Sequence, residues 1–445
     1  MKPRSLAFSF LILVSTLTGR AMDAKPDVVI FISDDMGWND VGYHGSVVET
    51  PNLDRLAEEG MRLDRFYVHP ICSPTRAGLF TGRLPARFGI SGPLSNSPDR
   101  GLPVDEMLLS NVFQEAGYET ALIGKWHLGS GPNFHPNARG FDHFYGHLSG
   151  MVDYFSHTNN GAVDWQRNGE ALEEDGYTTD LIAEEAVRWV EGRSSRRPML
   201  LLVPFNAPHG PPQAPAELVE KYEERGLSSQ SAIRSASIDS MDQAIGEVLE
   251  AVDVARNQEN TLVLFFCDNG NKGARGRESS ESGNLLLRGG KGELYEGGIR
   301  VPAVMRWPRH FAAGSHSEAF FSVLDLFPTL LEAIPLSHKP ANRFDGVSRW
   351  SQLKGSASNP AEPIVVLGQR GSAAVIDPPL KLIKSGSDLE LFDIVSDPTE
   401  SHELSEEQPD DASRLLSLLE PYSELGRRGK KGGGKEKKGK GKKRS

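Results

Sequence analysis

Asp27-Val28-Val29-Ile30-Phe31-Ile32-Ser33 is an unbroken apolar run closed by the pair Asp34-Asp35. A run that does not alternate reads as a strand buried on both faces, as in a parallel sheet covered by helices. The pattern recurs along the chain. Thr120-Ala121-Leu122-Ile123 runs out into Gly124-Lys125-Trp126-His127, Met199 to Val203 leads to Asn206-Ala207-Pro208-His209, and Thr261 to Cys267 presents Asp268-Asn269-Gly270. Helical patterns lie between these strands. One spans 50–60, with Thr50 as cap, Pro51 at the first turn and Gly60 at the end, and others cover 109–116, 180–190, 215–224 and 231–255. Alternating strands and helices give an α/β fold whose chemistry gathers at the C-terminal ends of the strands. Residues 130–177, rich in Gly, His, Asn and aromatics, read as long loops of the kind that contact substrates. Beyond Ile334 the strands shorten (364–367, 380–383) and a helix follows near 411–420, which predicts a small antiparallel α+β domain over 340–425. No internal repeat is visible.

At 445 residues the chain is long enough for one large domain and a smaller one. Its start, Met1-Lys2-Pro3-Arg4 followed by an apolar run from Leu6 to Leu17, predicts a signal peptide over 1–24, cleaved between Ala21 and Ala24, and hence an exported protein, periplasmic or secreted. No later stretch reaches membrane-span length. Residues 427–445 carry eleven Lys or Arg and one Glu, a net +10, which leaves −21 on the rest. An acidic body argues against nucleic acid as a partner, and the Gly/Lys tail reads as disordered. The two cysteines, Cys72 and Cys267, stand in unrelated contexts, so no disulfide framework is expected, and Cys267 at the end of an apolar run reads as a buried structural thiol.

Chemistry concentrates in Ile71-Cys72-Ser73-Pro74-Thr75-Arg76-Ala77-Gly78-Leu79-Phe80-Thr81-Gly82-Arg83. Ser73 suits an N-cap, Pro74 the first helical position and Gly82 the residue past the last turn, so the stretch reads as a short helix. Cys72 then stands just before a helix N-terminus, where an anion is favoured, and Arg76 can reach the same side. Spacing alone leaves several readings open. The loop lacks the glycines of a Cys-based phosphatase, and no Cys or His lies near enough for zinc. Asp34, Asp35, Asp268 and Asn269 offer only oxygen ligands, which suit a hard divalent cation, Ca²⁺ or Mg²⁺. Lys125 and His127 alternate with Trp126, so an extended segment would turn both to one face.

Cys-x-Pro-Thr-Arg followed by Thr-Gly-Arg closely resembles the signature of type I sulfatases. Ser33-Asp34-Asp35-Met36-Gly37-Trp38, Gly124-Lys125-Trp126-His127-Leu128-Gly129, Ala207-Pro208-His209-Gly210, Arg288-Gly289-Gly290-Lys291-Gly292 and Glu390-Leu391-Phe392-Asp393 match further family motifs in order. The resemblance implies an alkaline phosphatase-like fold, a large mixed sheet flanked by helices, with the catalytic domain over 25–335. It implies oxidation of Cys72 to formylglycine (3-oxoalanine) by a maturation enzyme, with the aldehyde hydrate as nucleophile. It makes Cys72, Arg76, Lys125, His127, His209 and Lys291 catalytic, with Lys125, His209 and Lys291 also binding substrate. Asp34, Asp35, Cys72, Asp268 and Asn269 would hold Ca²⁺, which is preferred to Mg²⁺. The implied activity is hydrolysis of sulfate monoesters on a sulfated sugar or polysaccharide. Gly37-Trp38-Asn39-Asp40-Val41-Gly42-Tyr43-His44-Gly45 and Asn284-Leu285-Leu286-Leu287-Arg288-Gly289 look closest to the arylsulfatase B (N-acetylgalactosamine-4-sulfatase) branch, although the loop from Lys272 to Ser282 is longer and more polar than that branch suggests. Two other functions compete: a phosphoester hydrolase of the alkaline phosphatase superfamily, and an inactive protein that binds sulfated glycans.

Overall fold

The computed structural model describes residues 24–425 apart from 195, 273–286, 335, 337–339 and 356–361. The signal peptide, the tail 427–445, the triplet Asn284-Leu285-Leu286 and the loop to Ser282 therefore lie outside the described residues, save Ala24 and Lys272 at their edges.

Among the described residues ten strands form one mixed sheet. In chain order they are β1 (Asp27–Ser33), β2 (Met61–Leu63), β3 (Glu119–Lys125), β4 (His143–His147), β5 (Gln166–Arg167), β6 (Glu170–Ala171), β7 (Met199–Pro204), β8 (Thr261–Cys267), β9 (Ala303–Arg306) and β10 (Ser315–Ser317). Their spatial order is β10-β2-β9-β8-β1-β7-β3-β4-β5-β6. The centre is parallel, with β1 between β7 and β8; β9 and β2 on one side and β5 and β6 on the other bring antiparallel pairing, and the outermost β10 pairs parallel with β2. Every residue of β1, β7 and β8 is buried, as their unbroken apolar runs require. Around the sheet, α1 (Pro51–Glu59), α4 (Thr178–Glu191) and α5 (Ala216–Glu224) pack on the long helix α6 (Ser229–Ala255). A second group joins α2 (Cys72–Thr81) to α3 (Leu109–Glu115) and α7 (Leu326–Ala333).

Three local expectations are corrected. Residues 130–177 are not merely loops: β4 lies parallel to β3 and extends the main sheet through β5 and β6. Its sequence, His143-Phe144-Tyr145-Gly146-His147, hides the strand because Gly146 faces Gly124 across the ladder, where a Cβ would come within 2.2 Å of the Gly124 carbonyl oxygen. Second, α2 begins at Cys72 with Ile71 as its cap residue, so neither Ser73 nor Pro74 holds its expected position. The Ser73 hydroxyl instead donates to the His127 carbonyl at 3.1 Å and accepts from the Leu94 amide at 3.0 Å, and this tertiary bridge outweighs its capping propensity. Third, the extended reading of 125–127 fails at His127, which is left-handed with φ 59°.

The C-terminal residues form a four-stranded antiparallel sheet of β11 (Ile364–Leu367), β12 (Ala373–Asp377), β13 (Leu380–Ser385) and β14 (Asp388–Asp393), in that order. Helix α8 (Pro409–Leu419) packs on β12 and β13. The strands alternate between two cores: Ala373 and Val375 share the large core with Leu415, whereas Ala374 and Ile376 join Tyr67, Leu294 and Ile299.

Candidate functional site

Register explains how residues more than 200 positions apart meet. β1 pairs with β8 from Asp27 opposite Thr261 to Ser33 opposite Cys267, so both strands release their acidic residues at the same level. The Asp268 amide continues the ladder to the Ser33 carbonyl at 3.0 Å, and the Asp34 amide reaches the Ala207 carbonyl at 3.0 Å, two residues before His209. One ligand atom from each of Asp34, Cys72 and Asp268 fits within 4.8 Å, and so does one from each of Asp34, Asp35 and His209.

Each expected cation is tied to this floor. Lys125 Nζ pairs with Asp34 Oδ2, and Lys291 Nζ with Asp35 Oδ1. Arg76 places Nε and Nη2 on Asp268 Oδ2 at 3.0 and 2.8 Å, and Nη1 on the Lys125 carbonyl at 2.8 Å, so it braces three segments at once. His209 Nε2 lies 3.8 Å from Asp35 Oδ2, and the Asn269 side-chain amide donates to Asp35 Oδ1 at 2.7 Å. The His127 carbonyl accepts from Ser73 of α2, and His127 Nε2 lies 3.2 Å from the Leu94 carbonyl. A carbonyl only accepts, so Nε2 carries the proton, and Nδ1, buried with no partner among the described residues, keeps its lone pair.

Asp34 Oδ1, Asp35 Oδ2, Asp268 Oδ1 and Asn269 Oδ1 are all buried and accept no hydrogen bond from the described residues. Desolvated oxygens of this kind, gathered at the adjoining ends of β1 and β8, are costly unless a cation satisfies them, and an all-oxygen set matches a hard divalent ion. The residues thus fit the expected metal site. Three carboxylates balance Arg76, Lys125 and Lys291, so a divalent ion would leave the site net positive and ready for an anionic ester.

Electrostatics divide the groups. Burial works to raise the Asp34 carboxyl, but Lys125, His209, Lys291 and Arg76 outweigh it and pull it far down. Asp268 moves up, through burial and then through Asp34 beside it. Burial pushes the Cys72 thiol up against the pull of Lys125 and Lys291, so the cysteine itself is a protonated, weak nucleophile at neutral pH. Burial, followed by the nearby cations, keeps the His127 ring neutral, and His209 shifts the same way.

His147, at the end of β4, escaped the sequence reading. It is buried beside Trp165 and feels Lys125, Arg76 and Asp34. The strand-end rule that singled out Lys125 and Asp268 would have found it had β4 been recognised.

Fold and site together define an alkaline phosphatase-like protein with buried carboxylates, lysines and a cysteine gathered at its strand ends. The sulfatase family description matches residues 26–336. Arylsulfatase J of Mus musculus is 30% identical over 374 residues, covering 80% of this chain and 61% of that protein. Human N-acetylgalactosamine-6-sulfatase is 33% identical over 345 residues, 73% of this chain and 65% of its own length. Human arylsulfatase G is 34% identical over 404 residues, 80% of this chain and 74% of that protein. The chain thus spans less than two thirds of the length of the first two. Among solved structures, Ps i-CgsB in complex with k-i-k-neocarrahexaose superposes with a TM-score of 0.84 at 31% identity, over 91% of this chain and 94% of the other. The chain belongs to the sulfatase family. Near-equal identity to differently named sulfatases leaves the branch within the family undecided.

Proposed function

We propose that the protein hydrolyses sulfate monoesters on a sulfated carbohydrate, with residue 72 as the source of the nucleophile. The observation that carries this reading is the burial of Cys72 in one cluster with Asp34 and Asp268, ringed by Arg76, Lys125 and Lys291. Asp34, Asp35, Asp268 and Asn269, with residue 72, would hold the metal, Ca²⁺ in this reading. When bound, that ion supplies electrostatic stabilisation of charge on the transferring SO₃ group. Oxidation of Cys72 to formylglycine by a maturation enzyme supplies a hydrated aldehyde in place of the unreactive thiol.

The chain's own residues do the rest. Lys125 and Lys291 neutralise the sulfate oxygens and hold the ester in place, an electrostatic contribution that grows in a dry site. Arg76 fixes the helix start on β8 and on the end of β3, so the nucleophile keeps its position while charge moves. His209, 3.8 Å from Asp35 Oδ2, acts in its protonated form, which Asp34 and Asp35 favour against burial: as the hydrate oxygen bonds to sulfur and the bond from sulfur to the sugar oxygen breaks, it gives its proton to that departing oxygen. His127, whose Nδ1 has no partner among the described residues, takes the proton of the second hydroxyl at residue 72; the aldehyde C=O re-forms as the carbon–oxygen bond to sulfate breaks, and sulfate leaves. On this reading 1–24 is an export signal, 25–335 the catalytic domain and 340–425 a small C-terminal domain.

The test is the initial rate of sulfate release from an aryl sulfate against phosphate release from the matching aryl phosphate. Sulfate release should dominate, and Cys72→Ala should lower it by at least about a thousandfold, the scale of losing a covalent nucleophile. Preference for the phosphate ester, or full activity in Cys72→Ala, would overturn the proposal.

A further inference from the structure

A cavity of about 570 Å³ opens between the turn joining β11 to β12, the β13–β14 hairpin and the end of α8. None of the site residues above lines it. Arg370 and Lys384 do, together with Leu419, Glu420 and Tyr422. Arg370 is exposed and left-handed, with φ 56° and ψ 20°, an unfavourable conformation for a non-glycine residue. Among the described residues it forms no ion pair or side-chain hydrogen bond, and the Lys384 ammonium reaches no carboxylate and donates to the Gly386 carbonyl. Two cations without carboxylate partners thus face one concavity, against the single negative charge of Glu420.

A short piece of chain runs from the cavity to the start of α2 and to His127. Ser91 is part of its lining, and Gly92 packs so closely under Gln369 that a Cβ there would meet Gln369 Nε2 at 2.6 Å. Leu94 then donates to Ser73 Oγ and accepts from His127. From Ser91 to Leu94 is at most about 11 Å of extended chain. A guanidinium fork and an ammonium suit sulfate oxygens, the Tyr422 ring offers a face for sugar C–H groups, and Glu420 can accept from hydroxyls.

We propose that this cavity is a second carbohydrate subsite, taking a sulfated sugar unit that neighbours the one under attack. The assignment rests on the function proposed above and extends it to polymeric substrates. It predicts that Arg370 and Lys384 govern affinity for sulfated oligosaccharides and leave small esters untouched.

The test compares Cys72→Ala with Cys72→Ala bearing Arg370→Gln and Lys384→Gln. Binding of carrageenan, chondroitin 6-sulfate and heparin hexasaccharides is measured by calorimetry at low salt. At least one hexasaccharide should bind about tenfold more weakly to the triple variant, and its desulfated form should bind both proteins alike. Equal affinities across the panel, including no binding to either protein, would overturn the assignment. Neither side chain pairs with a carboxylate, so melting temperatures should match, and Arg370→Gln alone carries the same comparison should the triple variant melt lower. Wild-type hydrolysis of an aryl sulfate separates the two proposals. No sulfate release with a binding difference sinks the enzymatic reading alone, whereas release with unchanged binding sinks the subsite alone.

Discussion

Cys267 and Cys72 show how placement decides what a thiol does. Both are buried, but Cys267 Sγ accepts from the Met36 amide and faces the Asn269 carbonyl, each at 3.0 Å, and burial pushes it far above the usual thiol range. It is a neutral clip between the loops carrying Asp35 and Asn269. Cys267→Ala should leave the Met36 amide buried without a partner and cost about 1–3 kcal/mol, read as a lower midpoint in thermal or urea unfolding; an unchanged midpoint would remove the clip. Residue identity was the most legible layer of the sequence. Arg76, Lys125 and His209 could be picked out because they follow apolar runs or fill a dense motif, whereas Lys291 was marked only by the family resemblance of Arg288-Gly289-Gly290-Lys291-Gly292. Ser73 was misread because capping propensity carries no information about tertiary partners, and α2, buried along its whole length, answers to those first.

At the scale of elements, unbroken apolar runs announced β1, β7 and β8, and periodicity placed the helices to within a few residues. Strand β4 could not be read this way, since its glycine and two histidines break the pattern that pairing with β3 later makes sense of. A single carboxylate helps to hold that edge. Glu185 of α4 meets His143 of β4 at 2.9 Å and Arg167 of β5 at 2.8 Å, with Arg188 also on its oxygen. Burial works against its charge, but these partners bring it down to about 2 from an ordinary 4.5. A carboxyl lowered on folding contributes stability above its unfolded value, and that contribution fades as pH falls through the folded value. Glu185→Gln should therefore destabilise by on the order of 2 kcal/mol at pH 7 and flatten the fall in melting temperature between pH 4.5 and 2. An identical acid limb in both proteins would contradict this role.

At the scale of the molecule, the catalytic floor and the C-terminal sheet are welded by a charge cluster that no motif announced. Lys381 of β13, fully buried, lies 2.9 Å from Glu296 and 2.7 Å from Glu400, and Tyr67 completes Glu296 at 3.0 Å. Glu296 follows Lys291 by five residues, so the C-terminal sheet supports the segment that delivers this lysine to Asp35. Such long-range closure was illegible because a lone Lys in a strand gives no sign of its partners. The α/β architecture and the strand-end site were legible, because each strand announces its own end and the parallel centre brings those ends together. As a buried thiol residue 72 is a weak nucleophile, and the proposed function requires its oxidation to formylglycine. The decisive measurement is the mass of the peptide containing residue 72, taken from protein that releases sulfate from an aryl sulfate. The aldehyde mass or that of its hydrate is predicted; fully active protein carrying only unmodified cysteine at position 72 would contradict the account.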